Sequence, residues 1–174
     1  MQSKVRLLGH PVHPMIVPFP IAFFTSTMVC AIVYTSTRNV FWFKIEFIAN
    51  CAGLVMAVAA VLPGLIDWLV IPTGADAKST GLKHMVANGF SVGFFGANAP
   101  INYLYLDASQ PPAESGLLLS IFGFLIMLYS GFKGWKMVQT HHVGVDISSK
   151  EEVPETGAAK PNTNIFDAAE KSMH

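Results

Sequence analysis

Charge is scarce in this chain: Asp, Glu, Lys and Arg make up 13% of its 174 residues, against roughly one quarter in an ordinary soluble domain. Apolar residues make up 52%, so lipid rather than water is the expected solvent. Eleven basic residues balance eleven acidic ones. The chain therefore has no net field to attract nucleic acid, and no basic run alternates with aromatics as a nucleic-acid groove requires. Nucleic acid is excluded as a partner. The two cysteines, Cys30 and Cys51, lie inside apolar runs and form no CxxC pair, which removes zinc clamps and thiol exchange and leaves them as small core residues. No CxxCH is present, so haem cannot be attached covalently in the c-type manner. No GxSxG or HExxH appears either, which makes a classical hydrolase or metalloprotease unattractive.

Four long apolar stretches stand against these absences. A hydrocarbon core about 30 Å thick needs about 20 residues of helix, and residues 15–36, 45–71, 85–106 and 116–138 each meet that length. The basic start at Lys4 and Arg6 resembles a signal-peptide n-region, but the run that follows is too long for an h-region and no AxA-like site closes it, so a retained helix is expected. The segments between the stretches, 37–43, 72–83 and 107–115, read as turns. Short connections imply antiparallel neighbours. The expected fold is all-α, an up-down-up-down four-helix transmembrane bundle over residues 1–145, followed by a polar tail over 146–174 in which 164–173 has the pattern of a short capped helix. Lys4, Arg6, Lys78, Lys83, Lys133 and Lys136 share one side of such a bundle, against Arg38 and Lys44 on the other. The positive-inside rule then places both termini in the cytoplasm of a bacterial-type inner membrane.

Ionisable groups at membrane depth are costly, so each is a functional candidate. His10 and His13 precede the first stretch, His84 opens the third and His141 with His142 follows the fourth, all on the side that holds the termini. Asp67, near the end of the second stretch, reaches the same layer. It is expected to accept a hydrogen bond from a ligand imidazole, or from an Arg or Lys of that face. Bland readings compete. A histidine at a helix end is often an interfacial residue, as read here for His142 and His174. Glu46, Asn50, Asn88, Asn98 and Asn102 read as interhelical hydrogen-bonding groups, and the GxxxG at Gly89 and Gly93 as a close-packing face.

The string GHPVHP at residues 9–14, followed by MIVPFP, resembles the opening signature of a bacterial family of small predicted membrane proteins of unknown function. The resemblance continues with GLID at 64–67, His84, SGFKG at 130–134 and the segment from His141 to Val145, where this chain has His141 and His142 in place of a single histidine before glycine. It implies a membrane cytochrome carrying non-covalent haem b. The chemistry is compatible, since such a haem needs axial imidazoles and an apolar slot between helices. Because His10 and His13 each precede a proline, an extended segment is expected there, and three residues of polyproline advance about 9 Å. Two ligands of one iron sit about 4 Å apart, so these histidines are assigned to different centres. With His84 and His141 they give four axial ligands for two haems. No histidine lies on the far side, so exchange of electrons with a quinol or a partner redox protein at one face is expected rather than conduction across the bilayer. Two other readings stand beside this one: a non-haem metal site on the same His and Asp residues, and a structural bundle without cofactor. Transport by four helices without an evident inverted repeat would require a homo-oligomer.

Overall fold

The computed structural model describes residues 3–72 and 74–144 and is almost wholly helical. The expected tail over 146–174, with its short helix, lies outside the described residues. A two-stranded hairpin, β1 (Arg6–Leu7) and β2 (His10–Pro11), opens the chain. Its turn needs a left-handed backbone at Leu8 and at Gly9, where φ is 85°, a conformation open to glycine at no steric cost. Helix α1 (Val12–Ile16) runs into α2 (Pro18–Thr37). The break between them follows from Pro18 and Pro20, which cannot donate to the carbonyls one turn earlier. Helix α3 spans Val40–Leu69, α4 Asp76–Leu104 and α5 Glu114–Gln139.

Several boundaries differ from expectation. The first turn shrinks to Arg38, in the left-handed region, and Asn39, whose side-chain oxygen accepts from the Phe41 N–H and caps α3. Helix α4 starts at Asp76, so His84 sits two turns inside it instead of opening it. His13 is helical rather than extended. A residue before proline is biased against the helix, yet Pro14 falls in the first turn of α1, where its missing N–H has no intrahelical carbonyl to meet.

Helix α2 packs on α3 and α4 on α5, while α2 against α5 and α3 against α4 close the ring. Low residue numbers on one helix meet high numbers on the next: His13 reaches Ala60 and Phe24 lies against Gly53, while His84 reaches Ser130 and Phe95 lies against Gly123. Polar side chains are buried beside an apolar core that includes Phe24, Tyr34, Phe43, Phe95 and Met127. Thr27, Glu46, Asn50, Ser91, Asn98, Asn102, Ser120 and Ser130 are buried, whereas Val55, Val58, Phe90, Leu118 and Phe132 face outward. The buried polar groups find hydrogen-bond partners inside the bundle, and in lipid the outward apolar surface is already in its solvent. The stretches Val12–Thr37, Val40–Leu69 and Glu114–Gln139 are long and apolar enough to cross a membrane. Helix α4 has the length, but its Asp, Lys, His and Asn residues lower its hydropathy below the other three.

Candidate functional site

The two helix hairpins of the bundle follow one plan. The pattern H-x5-F-x3-FF-x9-Y occurs at residues 13–34 and again at 84–105, a shift of 71. On the partner helices Gly53, Ala60 and Gly64 recur as Gly123, Ser130 and Gly134, a shift of 70. It is a direct repeat, not an inverted one, and the contacts repeat with it. His13 Nδ1 donates to the Ala60 carbonyl at 2.8 Å and His84 Nδ1 to the Ser130 carbonyl at 2.8 Å. Each accepting carbonyl lies four residues before a glycine. A side chain there would lean back over that carbonyl, and a Cβ at Gly64 would stand 2.7 Å from the His13 ring, one at Gly134 2.9 Å from the His84 ring. Both glycines are openings cut for an imidazole.

The Phe24 and Phe95 rings stack on each other, centroids 4.0 Å apart and planes within 6°. Equivalent residues meeting face to face put the pseudo-two-fold axis between them. Above this stack a cavity of about 100 Å³ is lined by His13 and His84 together with mainly apolar groups, including Val61, Val92 and Met127. With Nδ1–H of each ring given to a carbonyl, the lone pair is left on Nε2, the atom a metal would take. The Asn88 amide donates to His84 Nε2 at 3.0 Å, so that lone pair already has a neutral hydrogen-bond partner. Ser130 holds the same ring a second time, its hydroxyl 3.1 Å from Nδ1 and 3.0 Å from the His84 carbonyl.

The other sequence candidates stand apart from this cavity. His10 is exposed, with Nδ1 3.0 Å from the Leu8 carbonyl within the hairpin turn. His141 lies past α5, Nε2 3.3 Å from the Thr80 hydroxyl. Asp67 accepts from the Ser3 hydroxyl at 2.7 Å and from the backbone N–H groups of Lys4 at 2.7 Å and Val5 at 3.4 Å. Its carboxylate ties the N-terminal segment to the end of α3. Gly89 and Gly93 face outward with nothing within 4 Å of an added Cβ, so the expected close packing there is replaced by close approach at Gly53, Gly64, Gly123 and Gly134. Glu46 with Asn98 and Asn102 does bridge helices, as expected. Sequence reasoning passed over the glycine-backed carbonyls, although the recurrence of the histidine and phenylalanine pattern was available to find them.

A family model described as "Predicted membrane protein (DUF2231)" matches residues 9–147. The chain belongs to that family. No curated protein and no solved structure matches it.

Proposed function

We propose that this member of the DUF2231 family is a membrane-embedded b-type cytochrome whose iron is held between His13 and His84, near one face of an up-down-up-down four-helix bundle. The observation that carries the reading is the duplicated imidazole mount: two rings, each fixed by a backbone carbonyl over a glycine, aimed into one cavity. Each mount fixes the tautomer, and hydrogen bonding at Nδ1 raises the basicity of Nε2. The donor set fits haem. The cavity is narrower than the roughly 300–1,000 Å³ of cofactor pockets, so loading must part Val61, Val92 and Met127, apolar side chains that have no hydrogen bonds to lose. When bound, bis-imidazole haem supplies one-electron transfer. The chain's own part would be to hold both rings, keep the site apolar and exclude water from it.

Zinc or copper in a tetrahedral site would need third and fourth donors, and no group of three His, Cys, Asp or Glu comes together among the described residues. In this reading α4 is the fourth crossing, with Asn88, Ser91, Asn98 and Asn102 turned to partners inside the bundle. The excess of Lys and Arg on the terminal side assigns both termini to the cytoplasm of a bacterial inner membrane, with a quinol or redox protein as electron partner at that face.

The test is spectroscopic. Protein made with ample haem should show a Soret band and sharp reduced bands at about one haem per chain. His13→Ala and His84→Ala should each abolish them, while His10→Ala and His141→Ala keep them. Colourless protein sinks the cytochrome; two haems, with one lost in His10→Ala, would restore the four-histidine arrangement over two centres.

A further inference from the structure

The two halves of the chain agree around the histidines and diverge at the other end of the bundle. Glu46 lies 14 residues before Ala60 on α3, about 21 Å along the helix axis. It is 1% exposed, and no Lys or Arg side chain is among its hydrogen-bond partners. Three helices supply its surroundings through residue pairs one turn apart, which share a face: Glu46 and Asn50 on α3, Asn98 and Asn102 on α4, Gly116 and Ser120 on α5. The repeat pairs Glu46 with Gly116, Asn50 with Ser120, Asn98 with Thr27 and Asn102 with Ala31. The carboxylate and the three amides are therefore found on one side of the pseudo-two-fold only. The polarity is a local specialisation, not a feature the fold imposes.

The donors around Glu46 are spent. Asn98 Nδ2 donates to Glu46 Oε1 at 3.1 Å and to Ser120 Oγ at 3.2 Å, Asn102 Nδ2 donates to the same Oε1 at 2.9 Å, and Asn50 Nδ2 donates to the Phe95 carbonyl at 2.9 Å. Among the described residues, Asn50 Oδ1 and Asn98 Oδ1 are buried without a hydrogen-bond partner. Orphaned buried acceptors of this kind are destabilising. A proton on Glu46 would satisfy one of them. A cation bound beside Glu46 Oε1 would satisfy Asn98 Oδ1, which faces the same gap. The bare face of Gly116 leaves the room: a Cβ there would stand 2.9 Å from Glu46 Oε1, 3.4 Å from Asn102 Oδ1 and 3.5 Å from Asn98 Oδ1, so three oxygens converge on it.

The geometry points to a binding site for a small monovalent cation, of which sodium is the type, formed by the Glu46 carboxylate and the amide oxygens of Asn98 and Asn102. Oxygen donors select a hard cation. Charge selects its valence. One carboxylate neutralises a single positive charge, whereas a divalent ion would leave a net charge buried at membrane depth, where it is expensive. The site is separate from the histidine pair, so it stands or falls independently of the haem.

Equilibrium binding of radioactive sodium to the purified full chain in nanodiscs, with choline as counter-cation, tests it. Saturable binding near one sodium per chain is expected, together with a sodium-dependent rise in the melting temperature. Affinity should fall roughly tenfold or more in Glu46→Gln, the loss of one charged ligand being worth at least about 1.4 kcal/mol. Gly116→Ala keeps the charge but fills the gap, and should weaken sodium as well; it serves if Glu46→Gln does not fold. Absence of saturable sodium binding in the wild type, or binding untouched by either variant, overturns the site and leaves Glu46 as a structural group.

Discussion

A methyl group at Gly64 is the smallest perturbation that separates an imidazole mount from ordinary helix packing. In Gly64→Ala the new Cβ would stand 2.7 Å from His13 Cε1, 2.8 Å from Nδ1 and 3.2 Å from Nε2, against roughly 3.5–4.0 Å for carbon contacts at optimum. The ring must move by about 1 Å. That displacement stretches the 2.8 Å bond to the Ala60 carbonyl, a net loss of about 0.5–1.5 kcal/mol, and overpacking adds about 1–3 kcal/mol. Helix propensity works the other way, since Ala in place of Gly is worth about 1 kcal/mol. The balance is about 2 kcal/mol of destabilisation, or roughly thirtyfold in any equilibrium that needs the ring in place. Gly89→Ala is the control: nothing lies within 4 Å of its added Cβ, so it should be neutral or stabilising by up to about 1 kcal/mol. Thermal unfolding in detergent, with haem titration of the apoprotein, measures both. Gly134→Ala should shift stability in the same direction but by less, because its Cβ would stand 2.9 Å from His84 Cε1, 3.2 Å from Nδ1 and 3.7 Å from Nε2. If Gly64→Ala proves as stable as Gly89→Ala and binds haem as tightly as the wild type, the mount does not exist as described.

Three further outcomes follow. Asn88→Ala removes the amide that donates to His84 Nε2 at 3.0 Å, so haem affinity should rise by a few-fold, the neutral bond it replaces being worth about 1 kcal/mol; a fall in titrated affinity would mean that Asn88 holds the ring for the metal. Asp67→Asn weakens the bonds to Ser3, Lys4 and Val5. Limited proteolysis should then cut the first residues faster while the reduced haem spectrum stays unchanged, and a shifted spectrum with an intact N-terminus would return Asp67 to the ligand sphere. Phe24→Ala and Phe95→Ala each remove half of the stack on the pseudo-two-fold and should cost about 3–5 kcal/mol apiece. In the double variant the loss should fall short of additive, since the two rings share one contact; strict additivity in calorimetry would deny the coupling.

Much of the fold was legible because the bilayer imposes a length. Runs of about 20 apolar residues with few charges have few other readings, and the helices appear where those runs are. The ends were harder to place. Asn39 capping α3 and Asp76 beginning α4 are decided by polar groups that the apolar pattern ignores. The site was half legible: residue type and approximate depth singled out the histidines, and reading along the chain placed them in one layer. Linear reasoning weighed His10 and His13 against each other because they are three residues apart. In the folded chain the partner that shares a cavity with His13 is His84, 71 residues away.

The sequence by itself determined that this is a membrane chain of long helices, that its histidines sit toward the ends of its apolar stretches, and that its two halves carry the same histidine and phenylalanine spacing. Tertiary structure alone decided what those residues face. Whether a glycine is a packing contact, an outward stripe or a seat for an imidazole depends on what the neighbouring helix brings opposite it, as Gly64 against His13 and the uncovered Gly89 show. The same holds for Glu46. Its sequence neighbours are apolar, and the amides that surround it come from another helix by way of rotation and register, quantities fixed by packing across the bundle and not written in any local run of the chain.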